Sequence, residues 1–158
     1  MRAFGLNAFR VYTVLLGVWT GAGVHDTLST HFAWWADPVA WYARPAWEGM
    51  VNPWPFTTMA LLLATLVAGV VAFRWRGPGR KAAVFSLGGT ALILVATLAW
   101  FVPELGRMGS GELDAAALVS HGRTWITLNA VRLVLLVVLL WSALLALGRF
   151  GDGARETA

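Results

Sequence analysis

The stretch Thr124–Trp141, TWITLNAVRLVLLVVLLW, decides the fold: after Arg132 it holds only apolar residues until Ser142. Such a run suits hydrocarbon, since about 20 helical residues cross a bilayer core of about 30 Å. The guanidinium near its start needs a reason. Burying an Arg alone in a bilayer costs at least ~2.5–3.5 kcal/mol, so a partner or a water-filled cavity is expected beside Arg132.

The rest of the chain agrees with a membrane setting. Its 158 residues are 58% hydrophobic and 13% charged, with a mean hydropathy of +0.66. A soluble domain carries about twice that charge. Ten Trp point the same way, because Trp concentrates where hydrocarbon meets headgroups. Phe56–Phe73 and Ala82–Val102 are free of charge and are joined by the Gly/Pro turn RWRGPGRK, Arg74–Lys81. We read one all-α domain over residues 1–158, an integral membrane bundle of four transmembrane helices at about 9–31, 55–74, 82–102 and 124–148. The first outer segment, Ala36–Phe56, is too aromatic for a solvated loop. Its Asp37-Pro38 reads as an N-cap with Pro at the first helical position. This predicts a short interfacial helix over Pro38–Trp47 that covers the bundle mouth.

Positive charge sets orientation in a membrane. Arg2, Arg10, Arg74, Arg76, Arg80, Lys81, Arg149 and Arg155 fall on one side, against Arg44, Arg107 and Arg123 on the other. That places both termini in the cytoplasm, in a plasma or inner membrane. Eleven Arg to one Lys hint at a GC-rich bacterial genome. A signal peptide cut at Gly21–Gly23 is the rival reading of the N-terminus, but it would remove a quarter of the bundle. The basic cluster is one short loop, so nucleic acid finds no support as a partner. With no Cys, disulfides and thiolate metal sites are excluded. The partners expected are the bilayer and a small hydrophobic molecule, and a homo-oligomer stays open. Gly17–Gly21 has small-xxx-small spacing and Gly88-Gly89 reads alike, both as packing signals.

Polar residues gather in the outer half of the first and last helices. By helical rise, Arg132 and Asp26 each lie roughly 6 Å below the outer boundary, which makes Asp26 the first partner for Arg132 and Glu48 the second. His121, Trp125, Asn129 and Arg132 share about 80° of arc if the helix extends outward to His121. An Arg this near the boundary also has the option of snorkelling to the phosphates. Glu104 and Arg107, after Pro103, read as a solvated helix end.

The order WFVPEL (Trp100–Leu105), a polar loop, then Trp125-x-x-x-Asn129-x-x-Arg132 opening an apolar helix resembles the anthrone-oxygenase-like (DUF1772) family of small four-helix membrane proteins. The likeness runs from Trp100 to about Leu147; VHDTLSTHF (Val24–Phe32) has no counterpart in it. The resemblance implies a four-helix bundle and, for some members, oxidation of an anthrone to a quinone by O₂. The residues would suit a membrane-embedded enzyme for a small aromatic or polyketide-like substrate, working without a cofactor. His25, oriented by Asp26, or His121 would remove an acidic C–H proton, and Asn129 and Arg132 would stabilise the oxyanion. Trp100 and Trp125 would stack on the rings, with Trp35 and Glu48 at the same mouth. Two other readings compete. One puts haem or a metal on His25, His31 or His121, which no CxxCH or HxxxH spacing supports. The other is a non-catalytic binder or accessory protein whose Arg132–Asp26 pair only locks packing.

Overall fold

The computed structural model describes residues 2–37, 39–40 and 54–155. All regular structure among them is helical. Helix α1 (Arg2–Asp26) runs through a widened π-turn (Thr27–His31) into α2 (Phe32–Ala36), and α3 is Trp54–Arg74. Helix α4 (Arg80–Ala96) runs through a second π-turn (Thr97–Phe101) into α5 (Val102–Gly109), and α6 is Ala115–Arg155. Helix α1 packs on α3 and α6, and α4 packs on the same two, which closes the bundle.

Among the described residues three segments are long and apolar enough to cross a membrane: Trp54–Arg74, Arg80–Gly109 and Ala115–Phe150. Between their polar ends most outward side chains are apolar, with Phe73 81% and Leu92 72% exposed, a surface that suits lipid. Helix α1 bears Asn7, Arg10, His25 and Asp26 and falls outside that set. It nevertheless runs antiparallel beside α6 from end to end. Phe9 meets Phe150 with ring centroids 5.6 Å apart, and Trp34 meets Trp125 at 5.1 Å. The same number of residues separates the two contacts on each helix, about 37 Å of helical rise.

Threonines sit in these apolar helices without cost because each hydroxyl donates to the carbonyl four residues back: Thr13 to Phe9, Thr20 to Leu16, Thr65 to Leu61. One buried network crosses between helices. Tyr12 Oη lies 2.7 Å from Ser86 Oγ and 2.8 Å from Thr90 Oγ1, and Ser86 donates to the Leu139 carbonyl at 2.8 Å. It ties α1, α4 and α6 together in the half opposite the polar stripe.

Three of the helical segments run on beyond the expected membrane spans, for local reasons. Helix α6 begins at Ala115 rather than near 124, because Asp114 caps it: its Oδ1 accepts the Ala117 N–H at 2.8 Å. The third segment does not end at Val102. The π-turn just before Pro103 dislocates the backbone ladder where a proline would otherwise clash with it, so the helix carries on to Gly109. The first segment spans 2–36 instead of 9–31. At its end Asp37 Oδ1 accepts the Ala40 N–H at 3.0 Å, the capping bond expected there. The remainder of the segment Pro38–Trp47, where an interfacial helix is expected, lies outside the described residues, as do Trp41, Trp47 and Glu48.

Of the glycines read as packing signals only Gly89 makes a close approach, and Gly23, which the spacing does not single out, makes another. A Cβ on Gly17 would touch Leu140 only at 3.8 Å, and one on Gly21 or Gly88 would meet nothing within 4 Å. On Gly23 it would lie 2.6 Å from Leu133 Cδ2, and on Gly89 2.4 Å from Leu139 Cδ2. Gly79, at φ 86°, makes the tight turn into α4, beside Trp75, which stacks on Phe150 at 3.5 Å.

Candidate functional site

Both π-turns open on a threonine, and α6 reaches both. Asn129 Nδ2 lies 3.5 Å from Thr27 Oγ1 in the first π-turn. Arg132, on the same face of α6, donates from Nη1 to Thr97 Oγ1 in the second at 3.2 Å. Trp125 donates from Nε1 to the carbonyl of Phe101, the last residue of that second π-turn, at 3.0 Å. A π-turn inserts a residue into the α ladder and leaves backbone groups in need of partners. The Trp125, Asn129 and Arg132 stripe of α6 therefore docks onto two such dislocations at once.

Arg132 faces into the bundle rather than snorkelling. Its guanidinium carbon lies 4.6 Å from the ring centroid of Phe101 and 5.4 Å from that of Trp19. Two aromatic faces are a favourable seat for a desolvated cation. Asp26 is near enough to act on it electrostatically. The Arg132 Nε–H is buried and meets no acceptor among the described residues. A groove of about 300 Å³ opens sideways between α4 and α6, lined by Arg132, Trp100, Phe101 and apolar residues that include Leu128, Val131 and Leu135. Trp100 stands edge-on to Phe101 at 4.7 Å.

The other predicted site residues divide into two groups. Asn129 is 1% exposed and Trp125 7%, both in the same region as Arg132. His121 does belong to the helix, but by helical rise it sits about 17 Å outward of Arg132. Its Nδ1 pairs with Glu104 Oε1 of α5. Glu104 is thus no solvated helix end, because its side chain is 13% exposed and holds the imidazole. His25 is exposed on the outer surface of α1 and Trp35 is 44% exposed, with the Arg123 guanidinium 5.8 Å from its ring. Neither His25 nor Trp35 joins Arg132. Among the described residues no group of three His, Asp or Glu side chains converges.

Sequence reasoning missed Thr27, Thr97, Phe101, Trp19 and Glu104. Thr97 had one signal, a hydroxyl in an apolar run at the depth where Arg132 needed an acceptor, whereas Thr27 was one of several polar residues in its stretch. Trp19 had none, since a Trp in an apolar helix reads as an anchor.

Chemically, the arrangement sets a buried cation, flanked by ring faces, beside an apolar groove. It favours an oxygen acceptor attached to a flat hydrophobic body. Comparison of the chain with family models, curated proteins and solved structures finds no match.

Proposed function

We propose that the chain crosses the membrane four times with both termini cytoplasmic, and that its groove at Arg132 takes a small hydrophobic aromatic molecule bearing an oxygen acceptor from the lipid. The observation that carries the site is the buried Arg132 Nε–H, without an acceptor among the described residues, beside an apolar groove. A buried donor left without a partner costs about 1–3 kcal/mol, and more when charged, which a ligand oxygen would recover. The fourth crossing is supported by the contacts of α1 at both ends of α6, whose separation exceeds the roughly 30 Å hydrocarbon core. The orientation is supported by the basic residues at the end shared by Phe9, Trp75 and Phe150.

A second reading makes the site an anthrone-oxygenase-like enzyme, and the placement of Asn129, Arg132 and Asp26 favours it. Asp26 then replaces the histidines as base, because His25 is exposed and His121 is remote. The carboxylate takes the acidic C–H proton, and Arg132 and Asn129 hold the resulting oxyanion. The carbanion reduces O₂; one oxygen atom enters the ring as the quinone carbonyl and the other leaves as water.

The test uses the full chain in nanodiscs, titrated with a hydroxyanthrone and with anthracene, following Trp fluorescence. A hydrogen bond to a charged group is worth about 1.5–3 kcal/mol, so the hydroxyanthrone should bind roughly tenfold to a hundredfold tighter. Arg132→Met should abolish the preference. Equal binding of the two ligands by the unaltered chain would sink the site. Oxygen uptake with the anthrone, lost in Asp26→Asn, distinguishes the enzyme from a binder.

A further inference from the structure

A second groove, of about 430 Å³, lies between α1 and α3, far from Arg132 along the bundle. Its shape follows from residue size. Ala8, Ala60 and Ala64 leave a shallow floor, while Val11, Leu63 and Val67 raise the walls. It extends over Phe4–Leu15 on α1, about 17 Å of rise, close to the half-thickness of a bilayer core of about 30 Å. That is the reach of one acyl chain in one leaflet.

Charge stands beside the groove at Arg10, halfway along it, and beyond its Phe4 end at Arg74. Ala60, Val67 and Arg74 are spaced by seven, so on α3 they keep one face, drifting about 20° per step. The groove stripe thus leads to Arg74, exposed in the last turn of α3. On α1, Arg10 is exposed and donates from Nη1 to Asn7 Oδ1 at 3.3 Å, back toward the same end. Asn7 itself lines the groove. An apolar channel one leaflet deep, with one guanidinium beyond its surface end and another reaching back toward it, matches a phospholipid: an acyl chain in the channel and an anionic phosphate headgroup at the arginines.

From this we propose that the α1–α3 groove is a binding site for an anionic phospholipid of the leaflet at the Arg74 end. It rests on none of the chemistry at Arg132. The experiment is native mass spectrometry of the full chain released from micelles holding equal amounts of phosphatidylglycerol and phosphatidylcholine. One or more phosphatidylglycerol molecules should be retained in preference. A basic side chain at a membrane surface contributes about 1 kcal/mol, so Arg74→Gln should cut that preference roughly fivefold. Ala64→Trp fills the floor and should remove the retained lipid, whereas Leu92→Trp, on the lipid-facing side of α4, should not. Circular dichroism checks that each variant is folded. Equal retention of the two lipids, or phosphatidylglycerol retained by a folded Ala64→Trp variant, overturns the proposal.

Discussion

Arg132 is held by one hydroxyl and two ring faces, and each can be removed separately. Thr97→Val keeps shape and deletes the acceptor 3.2 Å from Nη1. It should destabilise the chain by about 1–3 kcal/mol, while Thr97→Ser should restore most of the loss. Thermal unfolding in detergent measures both; equal stability of the two variants would show that the hydroxyl is not what seats the guanidinium. Trp125→Phe removes the donor to the Phe101 carbonyl and should cost about 1 kcal/mol beyond the lost ring contact area. Arg132 was legible from sequence because a charge in an apolar run is conspicuous. Thr97 was not, since its hydroxyl also satisfies itself on the Ile93 carbonyl at 2.7 Å and so looks neutral in any helix. Glu104 was misread for a related reason: an acid after a proline looks like a helix end, and only the fold brings His121 to it.

Among the elements, hydropathy located the apolar runs but not their limits. Two helices go on past their apolar stretches for local reasons: Asp114 caps α6, and a π-turn makes room for Pro103. Apolar content carries no trace of either. Glycine spacing was equally silent on which glycine meets a neighbour, since that depends on how the helices are rotated against each other. Gly88 and Gly89 provide a direct comparison. Gly88→Ala meets nothing and should be neutral or stabilise by up to about 1 kcal/mol through helix propensity. Gly89→Ala drives a methyl group to 2.4 Å from Leu139 Cδ2 and should destabilise by about 1–3 kcal/mol. Unfolding midpoints of the two variants in the same detergent decide it, and a Gly89→Ala as stable as Gly88→Ala would mean that Leu139 swings aside freely.

At the scale of the molecule, the chain has no Cys, so single cysteines map its orientation against an empty background. Ser110→Cys, in the turn before α6, should react with an impermeant maleimide on intact cells, and Arg76→Cys only after permeabilisation. Labelling of both from outside would defeat the four-crossing topology proposed above. The paired π-turns have a consequence for how the molecule tolerates change in length. Each widened turn holds one residue more than an α ladder needs, so the outer part of each helix is clocked by about 100° from where an uninterrupted helix would place it. Deleting one residue within Leu28–His31 would give α1 a regular ladder and turn Trp34 away from Trp125, with no side chain of the site removed. Length, to a single residue, acts here as a rotational key: the outer aromatic cluster closes only on helices that carry the surplus, and loss of one residue unlocks it as surely as loss of a side chain.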